Sequence, residues 1–153
     1  MSSSQQFRSN SLKPSNWQIK CLPGLSCQNQ ARLIEAGIKT TAHLLHQGNT
    51  VTQRRALATQ LQLHIQHINK WVALADLSRI PSVGCQYCGL LLHAGISSTA
   101  QLSQIPLNQL HKQILKLQVK TLQRPDLCPK LEQMAQWVQQ ANLLINSGTK
   151  TFP

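Results

Sequence analysis

The sequence predicts an all-α protein, one compact helical domain in which a helix, a hairpin and a second helix occur as two tandem units. No segment alternates apolar and polar residues over a useful length, so no strand is predicted. Apolar residues instead recur at spacings of three and four in several stretches, as on the buried face of a helix. In addition, residues 22–44 match residues 80–102 without a gap, 58 positions later, which indicates a duplicated unit.

The predicted organisation starts with residues 1–13 as a disordered tail, because this stretch is rich in Ser and Gln and has no apolar period. Residues 14–79 form the first predicted unit and residues 80–147 the second, and residues 148–153 are expected to fray. Within the first unit, residues 14–21 are predicted to form a short leading helix anchored by Trp17.

Each unit opens with a tight turn, which we call the first hairpin (residues 22–26) and the second hairpin (residues 80–84). Proline presets the turn and glycine permits a positive φ. A helix of about ten residues should follow. It should end at Gly37 or Gly95, placed as left-handed C′ residues. The hydroxyls that can cap the next short helix are those of Thr40, Thr41, Ser98 and Thr99.

Further helices follow each unit. Thr50 and Gln53 have the spacing of a capping box, which opens a helix. Residues 63–79 show the clearest amphipathic period of the chain. In the second half, Pro106 opens a helix whose end is predicted near Gln118.

The end of the chain repeats the earlier long helix. Residues 118–129 are predicted to form an ordered loop, because they contain two prolines and no clean period. Pro129 then opens the last helix, in which Trp137 lies 66 positions after Trp71. All three tryptophans occupy positions that suit a core, so a platform for stacking single-stranded bases is not predicted.

The charge of the chain is strongly positive. Fifteen Lys and Arg residues stand against four Asp and Glu residues, which gives a net charge of +11. Such a balance suits nucleic acid, an anionic membrane surface or an acidic protein partner, although a solvated surface short of acids would have the same composition. No apolar run is long enough to cross a bilayer, and no signal peptide is visible. We therefore expect a soluble cytoplasmic protein with free thiols.

The residues of the second unit resemble a known family. The resemblance, close over residues 76–145 and looser over the first unit, is to the domain of unknown function 4332 family, whose members resemble helix-hairpin-helix modules and are common in bacteria. The segments that carry it are residues 76–80, 83–87, 90–96, 108–111 and 136–141.

This resemblance implies binding to duplex nucleic acid without sequence preference, with one phosphate held by hairpin amides and a helix N-terminus. Each hairpin keeps one of the two glycines usual in such modules. The predicted nucleic-acid-binding residues are Lys20, Gly24, Ser26, Arg32, Lys39, Arg79, Ser82 and Gly84. A basic ridge is also predicted if one helix continues through Lys112, Lys116, Lys120 and Arg124. The alternative is a protein-interaction or assembly factor that uses its helical faces, and the oligomeric state is left open.

A minor alternative is a cysteine-based zinc or redox site. Cys85 and Cys88 form a C-x-x-C pair, with His93 and Cys128 as further candidate ligands. Cys27, however, matches Cys85 in the first unit and has no partner three residues later, which favours a structural role. The acids are few and scattered, and no phosphate loop or nucleophile elbow is present. We therefore expect no enzyme activity, no cofactor and no metal.

Overall fold

The computed structural model describes residues 12–122 and 128–148, and in this part of the chain the fold is all-α, as predicted. A short 3-10 turn, Ile19–Cys21, precedes the helices. The eight α-helices of the described residues are α1 (Cys27–Glu35), α2 (Thr41–Gln47), α3 (Val51–Leu61), α4 (Ile65–Ser78), α5 (Gly84–His93), α6 (Thr99–Gln104), α7 (Leu107–Leu122) and α8 (Leu131–Gly148). The division into two tandem helix-hairpin-helix units and its boundaries stay predictions.

The predicted helix ends are confirmed at several points. Gly37 and Gly95 have φ values of +87° and +99° and follow the last turns of α1 and α5. The next residue in each case, Ile38 or Ile96, donates its N–H back to the helix and buries its side chain, as in a Schellman motif. The N-cap hydroxyls of α2, α3 and α6 accept backbone N–H groups, and Thr50 with Gln53 forms the predicted capping box.

Residues 14–18 do not form the predicted leading helix, so that prediction is wrong. This segment is extended and pairs with the chain just before α2: Ile19 donates its N–H to the Lys39 carbonyl at 3.0 Å. Thr41 donates its N–H to the Trp17 carbonyl at 2.8 Å. Leu12, inside the predicted disordered tail, packs half-buried against the core.

Helix α4 lies at the centre of the packing and contacts α2, α3 and α5, while α8 packs against α6 and α7. The predicted core positions of Trp71 and Trp137 are confirmed, since both side chains are buried. The largest fully buried side chains are Trp137, Ile19, Leu33, Ile38, Leu44, Ile68, Leu74, Leu77, Ile80, Leu91, Ile96 and Leu102. The core is therefore continuous from the 3-10 turn to α8.

The boundary between α7 and the following segment also differs from the prediction. Helix α7 continues to Leu122, so the predicted loop cannot begin at Gln118, which is buried within the helix. Residues 123–127 of that loop, which include Arg124, lie outside the described residues, as do the predicted tail up to residue 11 and the fraying residues 149–153. Among the residues described, no helix combines the length and apolar character needed to cross a bilayer.

Candidate nucleic-acid interface

The first hairpin is an open turn at the N-terminus of α1. Pro23 is followed by Gly24 with a φ of +74°, the value that the third residue of a type II turn requires. Ser26 is extended, and its Oγ accepts the N–H of Asn29 at 3.1 Å, so the serine hydroxyl caps α1. Gly24 and Ser26 thus each adopt a backbone conformation that their residue type favours.

Unpaired backbone N–H groups and lysine side chains lie together at the first hairpin. Gly24 and Ser26 are exposed, and within the described chain their backbone N–H groups donate to no acceptor. The Nζ of Lys70, on α4, lies 3.9 Å from the position that a Cβ at Gly24 would occupy. Lys20 is exposed on the preceding turn. An anion at Gly24 would meet free amides, the N-terminus of α1 and the Lys70 ammonium group.

The second hairpin is closed by other parts of the chain. Gly84 is buried, and a Cβ on it would lie 3.0 Å from the Trp17 ring. The N–H groups of Val83 and Gly84 both donate to the Ile80 carbonyl at 2.9 Å. These two amides have internal acceptors and are not available to an external phosphate.

A side chain of helix α8 accepts the remaining backbone N–H of the second hairpin, that of Ser82. The Oε1 of Gln140 accepts the N–H of Ser82 at 2.8 Å and its hydroxyl at 2.7 Å. The indole N–H of Trp137 donates to the Ser82 carbonyl at 3.2 Å. A phosphate could reach this amide only by displacing Gln140. Of the two hairpins, only the first therefore has a geometry that suits an anion.

The other predicted binding residues are dispersed. Arg79 donates from Nε to Asp76 Oδ1 at 2.8 Å, the one ion pair in the described part of the chain. Arg32 lines a recess of about 280 Å³ together with Glu35. Lys39 is exposed in the loop before α2. Helix α7 continues through Lys112, Lys116 and position 120, with the first two side chains exposed. The structure brings only Lys20, Gly24 and Ser26 to the first hairpin, and it adds Lys70, which no spacing rule indicated.

The two thiols of α5, on Cys85 and Cys88, have raised pKa values. Cys88 is buried on α5, and the Cys85 thiol lies near that of Cys21. Burial, with smaller effects of the neighbouring Cys88 and Cys21 thiols, raises the pKa of Cys85 to about 12. Burial also raises the pKa of Cys88 to about 11. High pKa values disfavour the thiolate that redox chemistry and zinc binding require.

The candidate metal ligands are not gathered at one site. His93 is exposed and Cys128 is half-buried. Burial raises the pKa of the Cys128 thiol. Across residues 12–122 and 128–148, no group of three His, Cys, Asp or Glu side chains is placed to hold a metal ion.

Fold and site together define an all-α protein whose one open hairpin carries exposed amides beside a lysine. The family model described as "Domain of unknown function (DUF4332)" matches residues 23–144, and the chain belongs to this family. No curated protein matches the chain significantly. No solved structure matches it significantly either.

Proposed function

We propose that this protein is a non-enzymatic binding module that holds duplex nucleic acid by its phosphate backbone, without reading sequence. The observation that carries the proposal is the first hairpin, where exposed Gly24 has no Cβ, its amide is unpaired within the described chain, and Lys70 Nζ is close by. The net charge of +11 supplies the long-range attraction.

The contact at the hairpin is to one phosphate. The N–H groups of Gly24 and Ser26 donate to phosphate oxygens, and the first turn of α1 contributes its unpaired amides and the positive end of its dipole. Lys70 and Lys20 neutralise the phosphate charge. Because Trp71 and Trp137 are buried, neither offers a ring for base stacking, which favours backbone contact over single-strand recognition.

The test compares two charge-matched variants by fluorescence anisotropy with a labelled short duplex. Lys70→Gln removes the cation beside Gly24, whereas Lys130→Gln removes an exposed lysine next to the start of α8. We expect Lys70→Gln to weaken binding at about 50 mM salt and to reduce the slope of log K against log salt by about 1. Lys130→Gln should have the smaller effect.

The sequence-independent character is tested with duplexes of unrelated sequence and equal length, which should bind with equal affinity, because phosphate contacts carry no base information. Absence of binding at about 50 mM salt, where electrostatic affinity is strongest, would reject the proposal. Equal effects of the two lysine variants would show that binding is diffuse and does not use the first hairpin.

A protein-interaction or assembly role is the second candidate. The closed second hairpin favours it, because a module that binds both strands of a duplex through its hairpins would need both hairpins open. Affinity capture from cells with and without nuclease distinguishes the two. Partners that survive nuclease treatment support the protein-interaction role. Partners that disappear support the nucleic-acid role.

A further inference from the structure

A cleft separate from the first hairpin lies between α2, α3, α4 and the segment that leads into α6. Its volume is about 550 Å³, within the range of small-molecule sites. The apolar part of its lining comes from Leu45, Val72 and Ala73. Two arginines, Arg54 and Arg79, line it as well. The cleft thus combines an apolar surface with two cations.

Both guanidinium groups are held in place by the protein. Arg54 donates from Nε to Asn69 Oδ1 at 3.0 Å and from Nη1 to the Gly48 carbonyl at 2.9 Å. Arg79 is held through its Nε by Asp76. Over residues 12–122 and 128–148, Nη2 of Arg54 and both terminal nitrogens of Arg79 have no acceptor. Positioned guanidinium groups with spare donors are suited to planar recognition of phosphate or carboxylate.

The single carboxylate in the cleft is already engaged. Asp76 Oδ1 accepts from Arg79, and Oδ2 accepts the N–H of Thr99 at 2.8 Å. Both oxygens therefore serve the protein itself, and the two arginines outnumber the one acid. The cleft consequently favours an anion over a cation or a neutral ligand.

We propose that this cleft binds a small organic anion, whose phosphate or carboxylate head is held by the free guanidinium nitrogens of Arg54 and Arg79. The apolar body of the ligand lies on Leu45 and Val72. The α4 residues that line the cleft, at positions 69, 72, 73 and 76, share one helix face, and Lys70 is not among them. The site is thus distinct from the proposed phosphate contact at the first hairpin and does not depend on it.

The experiment titrates the isotope-labelled protein with phenyl phosphate, phenylacetate, inorganic phosphate and neutral benzyl alcohol, followed by backbone amide NMR. We expect phenyl phosphate or phenylacetate to shift amides of the cleft residues, such as Asn69, Val72 and Ser97, with a Kd of about 1 mM or below. The stronger of the two probes shows whether the natural head group is a phosphate or a carboxylate.

Three variants complete the test. Arg54→Gln should weaken binding by about tenfold, because a hydrogen-bonded charge is lost. Arg55→Gln, its exposed neighbour outside the cleft, should not change binding. Ala73→Phe fills the apolar surface and should abolish binding with every charge retained, so it decides the question if Arg54→Gln does not fold.

Several results would overturn the proposal. One is that neither organic anion shifts an amide at about 10 mM, where a millimolar site would be nearly saturated. Another is that benzyl alcohol binds as tightly as the anions. Inorganic phosphate matching phenyl phosphate would remove the role of the apolar surface. Shifts confined to residues 24–26 would assign the anion to the first hairpin instead.

Discussion

At position 24 the chain has glycine, whereas position 82, its counterpart 58 residues later, has serine; positions 26 and 84 show the reverse exchange. Gly24 adopts a φ of +74°, and in the second hairpin the positive φ, +55°, falls at Gly84. Serine strongly disfavours this left-handed region, so each turn places its positive φ where its glycine stands. Helix α5 includes residue 84, whereas residue 26 is the extended N-cap of α1.

This difference predicts unequal costs of adding a methyl group at the two glycines. Gly24→Ala should lower the free energy of unfolding by about 1–2 kcal/mol, because only the left-handed φ is strained and a Cβ at this position would make an ordinary van der Waals contact. Gly84→Ala should cost about 1–3 kcal/mol more, because its Cβ would also press on the Trp17 ring at 3.0 Å. Urea denaturation of the two variants measures the difference, and equal costs would mean that Trp17 yields without loss.

At the scale of the helices, capping residues predicted the boundaries well because capping is local chemistry. The Thr50 hydroxyl accepts the backbone N–H of Gln53, and the Gln53 side chain accepts the backbone N–H of Thr50. Neither hydrogen bond depends on the rest of the fold. The helix predicted for residues 14–21 is wrong because the hydrogen-bond partners of this segment are distant in sequence. Residues 17–19 hydrogen-bond to residues 39–41, and no local sequence pattern indicates this pairing. The predicted start of the loop at Gln118 is too early, because a proline disfavours helix only at the residues next to it, and α7 continues to Leu122.

Helix α5 should shield its two thiols from alkylation. At pH 8 we expect iodoacetamide to modify Cys85 and Cys88 more than about tenfold more slowly than exposed Cys27, since pKa values of about 12 and about 11 leave almost no thiolate. The rates at Cys85 and Cys88 should keep rising with pH up to those values, because thiolate replaces thiol only there.

Mass spectrometry of the digested protein after timed alkylation gives the rate at each position. A urea-unfolded sample is the control, in which the three cysteines should react alike. Fast labelling of Cys85 in the folded protein at pH 8 would contradict the prediction and would mean that α5 carries a reactive thiol.

For the whole molecule, the all-α class could be predicted from periodicity, but whether the amides of residues 22–26 and 80–84 are free could not. Whether an amide is free depends on residues far away in sequence: Trp17 covers Gly84, and Gln140 takes the Ser82 donor. Lys70 reaches Gly24 from another helix in the same way. Repetition predicts similar local geometry, whereas access to solvent is decided by packing between elements.

The charge distribution yields a prediction for the stability of the whole fold. The chain has a net charge of +11, and Asp76–Arg79 is the one ion pair in residues 12–122 and 128–148, so repulsion between like charges outweighs attraction. Salt screens such repulsion over about 10 Å at 0.1 M. We therefore expect the melting temperature to rise by about 2–4 °C, or roughly 1 kcal/mol, as sodium chloride is increased from low to moderate ionic strength.

The same salt that stabilises the free protein should weaken its complex with duplex nucleic acid, because it screens both repulsion within the protein and attraction to phosphate. Calorimetric melting in sodium chloride and in potassium chloride checks the first effect, and agreement between the two salts assigns it to screening. A melting temperature that falls with salt would mean that attractive pairs dominate. The positive charge would then stabilise the fold itself, and would no longer be evidence for an anionic partner.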